Sequence, residues 1–401
     1  MKKQMRRHIV TAAALLVIGS GAAPLAQDRA PEFESWRTPG WSFTPGVTLG
    51  AVFDSNVALA SAPADTRQTQ GDRLLQAQPF AHLEFFSPRT EFSSGYQGYV
   101  RRYADVTQLN GFDQRVSGSV RRLVTRRVTV FARDSYADVP TTDEVEVNGV
   151  PFSRTGSRMN AALAGVDARL TKYTDLSVRY ENTWVKFDRQ DTFLTGGWVN
   201  GARAELSHHL NDRLSAGAEY GIRFADLNEG THQLTFQDAG GTLHYDLGPG
   251  TAFSLAGGVS HLDDHLLTET RTGPYVRMGL THDAHRAIVG ATYERMFVPS
   301  FGFGGSNQSQ EVRGFVRMPL QGNRFYVQSS AAWRRSDPFV ANELLLDTIW
   351  LRSTVGYSAA RWLRIEGFHA FTRQDSQVTG GEINRQRIGA QVVVSQPMRI
   401  R

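Results

Sequence analysis

"HHLNDRLSAGAEYGIRFADL" (His208–Leu227) is the stretch on which the fold turns. From Leu214 onward every second residue is apolar: Leu214, Ala216, Ala218, Tyr220, Ile222 and Phe224. Between them stand Ser215, Gly217, Glu219, Gly221 and Arg223, all small or charged. A period of two marks a strand whose two faces meet different surroundings. Asn211-Asp212-Arg213 ahead of it is tight-turn sequence. A sandwich strand with one face in a core and one in water reads this way. So does a strand with lipid outside and water inside.

The rest of the chain separates the two. Alternating segments of about 12–16 residues run from Trp41 to about residue 396, eighteen of them to within about two. Strands of soluble sheets average about 5–6 residues, so eighteen this long would make an oversized sandwich. A tilted strand crossing hydrocarbon needs about 9–11. No blade-like repeat of about 40–50 residues is visible, which disfavours a propeller. The connections also alternate in length. "SPRT" (87–90), "NDR" (211–213), "LGPG" (247–250) and "LQGN" (320–323) are tight, whereas 58–72, 139–156, 188–197, 262–271 and 299–308 are longer and more polar. The fold expected is therefore all-β: a transmembrane antiparallel up-and-down barrel of about 18 strands (16–18), with short periplasmic turns and longer extracellular loops. Closure satisfies the backbone groups that lipid would leave unpaired. Lipid-facing sets include Ile349, Leu351, Val355 and Tyr357; Val289, Ala291, Tyr293 and Phe297; and Trp198, Ala202, Ala204 and Leu206. Trp41, Trp198, Tyr357 and Trp362 are placed for interfacial girdles.

The ends set the compartment. Met1–His8 carries Lys2, Lys3, Arg6 and Arg7, and "IVTAAALLVIGSGAAPLA" follows (9–26). That is the pattern of a secretory signal peptide, residues 1–26, with cleavage expected after Ala26 and Ala22 as the alternative site. Residues 27–40 then form a short periplasmic segment, too short for a plug domain, and 41–401 form the barrel. Four of the 44 basic residues lie in the leader, against 39 acidic residues overall, so the remainder is close to neutral and the high pI says little about nucleic acid. Nearly all basic side chains are Arg. With no cysteine, thiol nucleophiles, Cys zinc sites and a lipoprotein anchor are excluded, and stability must come from the core or from sheet closure.

"TPGVTLGAVFDSNVALA" (44–60), with its Phe53-Asp54-Ser55-Asn56 ending, resembles the opening strand of the β-barrel porins of Gram-negative outer membranes, some of them encoded beside exopolysaccharide secretion genes. The resemblance implies an outer-membrane location, contact with lipid, insertion by the barrel assembly machinery, and passage of hydrophilic solutes or of polysaccharide. Such barrels usually end in an aromatic residue. This chain ends "VVVSQPMRIR", which places an assembly signal further upstream, near Val392–Val394.

Alternation puts a charged set inside: Arg101, Arg121, Arg133, Arg179, Arg203, Arg223, Arg277, Arg313, Arg317, Arg334, Arg352, Arg364, Arg385 and Arg387, with Glu181, Glu205, Glu219, Glu294 and Glu366. A planar, permanently charged guanidinium suits carboxylates and phosphates, and a ring of them would favour anions. The same residues can instead pair across strands and hold the wall, Arg179 and Glu181 with Arg203 and Glu205 for instance. The longest connection, 139–156, is the candidate constriction loop. "HLDDH" (261–265) is the densest metal-like cluster and is expected as a polar loop, with no metal. Asp54 and Asn56 read as turn residues. Cofactors are not expected. An outer-membrane hydrolase would need a Ser–His–acid constellation; His208/His209 or His369 with a nearby Ser are the candidates, but His369 falls on the lipid face, His208 and His209 lie at a periplasmic end, and no G-x-S-x-G elbow is present. "GFGG" (302–305) precedes no helix and is not a phosphate cradle. The expected function is a porin-like channel and not an enzyme, with a polysaccharide conduit or a hydrolase as the alternatives.

Overall fold

The alternating segments pair in chain order until the last returns to the first. The computed structural model describes residues 39–400 except 60–69, 141–154, 189–193, 229, 285, 303, 321–323, 340–344 and 377–380. The expected leader, nearly all of the expected 27–40 periplasmic segment and the middle of the expected constriction loop lie outside the described residues. The strands are β1 (Gly40–Asp54), β2 (Asp72–Phe86), β3 (Thr90–Tyr103), β4 (Gly111–Leu123), β5 (Val128–Pro140), β6 (Gly156–Arg169), β7 (Thr174–Phe187), β8 (Gly197–His209), β9 (Leu214–Leu227), β10 (His232–Gly248), β11 (Thr251–Asp264), β12 (Glu269–Ala284), β13 (Ala287–Pro299), β14 (Ser306–Leu320), β15 (Phe325–Pro338), β16 (Leu346–Ala360), β17 (Leu363–Ser376), β18 (Gly381–Ser395) and the short β19 (Met398–Ile400). Every pairing is antiparallel. β1 bonds to β2 on one side and to β18 on the other, from Gly46↔Ser395 to Asp54↔Arg387, so the sheet has no free edge.

β19 is the tail of β18. Pro397 interrupts the ladder, and the chain then resumes pairing with β1 at Trp41↔Ile400 and Phe43↔Met398. Met398 and Ile400 thereby stand on the outer face beside Trp41, so the polar-looking C-terminus completes the wall.

The shortest long strands have 13 residues and β10 has 17. At about 3.3 Å per residue and a tilt of about 40°, even the shortest exceeds the ~25 Å apolar band of a membrane barrel. Local chemistry sets the tight turns. Asn211 Oδ1 accepts from the backbone N–H of Arg213 (2.8 Å) and of Leu214 (2.9 Å), closing the β8–β9 hairpin.

The packing is inverted relative to a water-soluble sheet. Tyr220 and Phe224 are 49% and 47% exposed, while Glu219 and Arg223, each next to one of them, are 5% and 8% exposed. Leu49, Leu75, Val178, Leu206, Val259, Val312, Ile349, Val355, Ile365 and Ile388 continue the exposed apolar outer face. At the short-turn end Trp41 packs on Phe85 (4.8 Å) and Phe92 (5.7 Å), and Phe325 on Tyr357 (4.6 Å), all on the outside.

At the long-loop end the pattern reverses. Leu227, Leu234, Phe236 and Leu262 point inward and are almost completely buried, joined by Val185, Phe187 and Val199. Their outward neighbours are polar: Asp226, Gln233, Thr235, His261 and Asp263. Two expectations fail here. Phe297 does not face lipid, and "HLDDH" is not a loop. β13 pairs with β12 only as far as Val276↔Arg295, whereas its pairing with β14 continues to Pro299↔Ser306. The tip of the β13–β14 hairpin therefore leaves the wall and folds into the mouth. Met296, Phe297 and Val298 are buried, Phe297 among the apolar side chains of β7–β11. Gly273 of β12 makes this possible, because a Cβ there would stand 2.7 Å from the Phe297 ring. His261 to Asp264 lie in β11: Leu262 joins the inward apolar cluster and Asp264 bonds inward to His232 (3.0 Å).

Candidate channel interior

The strand register turns every charged residue of the predicted interior set toward the inside of the barrel, in three groups and a remainder. The first group spans β8–β12. Glu219 accepts from Arg277 (2.6 Å) and from the Tyr275 hydroxyl (2.7 Å), with Arg203 at 3.3 Å. Asp238 takes Arg203 and Arg223, each at 3.2 Å, and the Ser260 hydroxyl at 2.7 Å. Arg223 also donates to the Phe297 carbonyl (3.0 Å) and lies over the Phe236 ring (5.1 Å), which ties the hairpin tip to this layer. Glu294 sits opposite Arg277 in the β12–β13 register.

The second group is on β14–β16. Glu311 pairs with Arg334 (2.6 Å) and Arg313, and both guanidinium groups lie over Trp350 at 5.4 and 5.9 Å. The third crosses the closure. Glu366 accepts from Tyr326 and Gln391, with Arg364 at 3.5 Å. Gln391 meets Gln76, and the chain continues through Tyr99 to Arg387. Nearby, Arg101 pairs with Asp113 (2.7 Å) and Arg385 with Asp54 (2.6 Å). Asp54 and Asn56 are therefore more than turn residues. Both are buried, and Asn56 also donates to the Asn384 carbonyl (3.0 Å).

Arg133, Arg317 and Glu181 make no ion pair among the described residues, and Arg121 reaches Asp167 only at 3.8 Å. Arg352 faces inward opposite Ser330. The expected cross-strand quartet of Arg179, Glu181, Arg203 and Glu205 does not form. Arg203 turns to Glu219 and Asp238, Glu205 accepts from His244 (3.0 Å), and Arg179 donates to Ser177 (3.3 Å). Arg179 and Arg203 are direct cross-strand partners, so like charges repel and each finds relief along its own side.

Between these layers and the short turns lies a cavity of about 1150 Å³. Its inner limit is lined by Arg133, Arg179, Glu205, Ser254 and Thr292, and Glu219 lies directly opposite Glu205 in the β8–β9 register. Arg121, Arg126, Arg127, Arg133, Arg169, Lys172, Arg179, Arg213 and Arg399 line it against Glu84, Glu91, Asp167, Asp175, Glu205, Asp212 and Asp246, a net cationic wall. At the opposite end the mouth is narrowed by the hairpin tip. Gly302 and Thr195, from the β13–β14 and β7–β8 connections, exchange backbone hydrogen bonds at 2.6 and 2.8 Å across the tops of the intervening strands. The inward segment among the described residues is thus near 296–302, and residues 141–154 of the expected constriction loop lie outside the described residues.

Sequence reading missed Asp238 and Glu311, which pair with arginines, and Tyr275 and Ser260, which donate to Glu219 and Asp238. It also missed a contact between Ser215, His209 and Asp175. His209 Nε2 is 2.7 Å from Asp175 Oδ2, and Ser215 Oγ is 2.7 Å from His209 Nδ1. Among the described residues no group of three or more acidic or histidine side chains could hold a metal ion.

No protein-family model matches the chain, and neither does any curated protein sequence. Solved structures similar to it include OccAB4 of Acinetobacter baumannii (TM-score 0.47, 8% identity, 90% of this chain and 99% of that one). OpdL of Pseudomonas aeruginosa is similar at TM-score 0.41 and 10% identity, over 90% and 99% of the two chains. The outer membrane protein OpdK of Pseudomonas aeruginosa is similar at 0.44 and 9%, over 89% and 99%. The closed barrel of eighteen long strands stands on this chain's own strand pairing.

Proposed function

We propose that this chain is an outer-membrane channel, exported behind a leader ending at Ala26 and inserted by the barrel assembly machinery. Small hydrophilic solutes pass through it by diffusion, anions more readily than cations. The observation that carries the reading is the inverted wall: apolar side chains outside and ionised ones inside a ring without edges. The short turns face the periplasm and the long connections face outward. Selection has two parts. The hairpin tip and the 194–196 segment limit size at the mouth. The cationic excess of the inner cavity raises the local concentration of anions. Arg133 and Arg317, which make no ion pair among the described residues, are the guanidinium groups best placed to meet a solute.

Planar-bilayer recording of the refolded chain without its leader, in a potassium chloride gradient, tests this. The expected result is stable current steps with a reversal potential of anion sign, moved toward zero by Arg133→Glu with Arg317→Glu. Stable insertion without conductance would overturn the channel reading, and a cation-sign reversal potential would overturn the anion preference.

A further inference from the structure

The inner cavity holds a hydrogen-bonded series that the charged wall does not explain. Ser215 is the second residue of β9, His209 closes β8 and Asp175 lies near the start of β7, all on the inward face. All three line the cavity. His209 bridges the others, with Nε2 at 2.7 Å from the Asp175 carboxylate and Nδ1 at 2.7 Å from Ser215 Oγ. The positions are fixed by ladders, since His209 pairs with Ser215 across the hairpin and the His209 N–H donates to the Tyr173 carbonyl (2.7 Å). If Nε2–H donates to Asp175, Nδ1 keeps a lone pair to accept the Ser215 hydroxyl proton. A hydroxyl held by a base that is oriented by a carboxylate is the arrangement of an activated nucleophile, recognised by roles and geometry rather than by chain order.

We infer that Ser215, His209 and Asp175 form a hydrolytic site in the inner cavity, acting on acyl esters of small hydrophilic, preferentially anionic, molecules. Ser215 Oγ attacks the ester carbonyl carbon as its proton passes to His209 Nδ1. The bond to the leaving oxygen breaks, that oxygen takes the proton from Nδ1, and an alcohol departs. Water then attacks the acyl–Oγ ester and gives its proton to Nδ1. The acyl–Oγ bond breaks, Oγ recovers the proton, and a carboxylic acid is released. The sum is ester plus water to acid plus alcohol. Ser215 and His209 are the catalytic residues, and Asp175 positions the imidazole. Lys172, Arg169 and Arg213 line the same cavity and supply the positive field that a developing oxyanion needs.

The test uses the refolded chain in detergent and in vesicles, with 4-nitrophenyl acetate as substrate and a fluorophosphonate as covalent probe. Expected are turnover above the buffer rate, stoichiometric labelling mapped to Ser215, and losses of about 10²–10³-fold in Ser215→Ala and His209→Gln. Asp175→Asn is expected to lower kcat while leaving KM near its original value. His208→Gln, whose side chain points outward to Thr174, is expected to keep full activity. Conductance of Ser215→Ala shows whether the barrel is intact. A wild-type rate equal to that of Ser215→Ala, or labelling elsewhere than Ser215, would overturn the inference. The channel reading fails separately: labelled, active protein without current removes the channel and keeps the site, while current without labelling removes the site and keeps the channel.

Discussion

The two ends of the barrel interior are built from the same strands and behave in opposite ways. Toward the long loops, the inward side chains of β6–β11 are apolar and pack against Phe297 and Phe301 of the in-folded hairpin tip, leaving a narrowed mouth. Toward the short turns they are charged and hydrogen-bonding, and surround a cavity of about 1150 Å³. The buried carboxylates Glu219 and Asp238 lie between, with Arg203, Arg223 and Arg277. An inward side chain is apolar where another part of the chain covers it and ionised where water or a counter-charge reaches it. The outer face shows the complement, apolar in its middle and polar beyond.

The harshest break in this contrast is loss of the layer between the ends. Asp238→Ala removes the buried carboxylate that Arg203, Arg223 and the Ser260 hydroxyl share, leaving the two guanidinium groups only Glu219 and the Phe297 carbonyl. The expected cost is about 3–5 kcal/mol, read as a lowered denaturant midpoint in lipid or detergent. Next in size is the outer face. Tyr220→Arg, in the middle of β9's lipid-facing set, is expected to cost about 2–4 kcal/mol in a bilayer, and much less in detergent micelles. If the two media give the same cost, Tyr220 does not face hydrocarbon.

Gly273→Val sharpens the comparison at the mouth. The new side chain collides with the Phe297 ring, at a cost of about 1–3 kcal/mol for overpacking, and unseats the hairpin tip from the mouth. Single-channel conductance is expected to rise severalfold, and an unchanged conductance would show that the tip does not limit the current. The smallest effect on stability is Arg133→Glu, in the cavity and without an ion pair among the described residues, expected within about 0.5 kcal/mol of the original. Its reversal potential shifts toward cations all the same, whereas Arg334→Gln, whose parent charge is held by Glu311, alters selectivity less and stability more.

Much of this was legible in the chain itself. Leu214 to Phe224 and Ile349 to Tyr357 show their faces by period alone, because one side chain in two points each way whatever the surroundings. The same rule placed Arg277 and Glu219 inside. It could not show that they meet, since β9 and β12 are neighbours only across two intervening strands. Asp238 escaped notice because β10 changes character along its length: Gln233, Thr235 and Gln237 outside against Leu234 and Phe236 inside reads, on its own, as a strand of the opposite parity. Phe297 failed for a related reason. Its parity with Val289, Ala291 and Tyr293 is unbroken, and the bend that takes it inward is visible only in the loss of β12–β13 pairing beyond Arg295.

The sequence by itself determined the strands, their two faces and the even alternation of short and long connections, because these follow from local geometry and from solvents that differ across a wall one residue thick. Tertiary structure alone decided which charges neutralise one another, which hairpin closes over the mouth, and that Ser215, His209 and Asp175 meet in one cavity. Those outcomes depend on the closing of the ring and on contacts between strands far apart in the chain, where a shift of one pleat would exchange every partner.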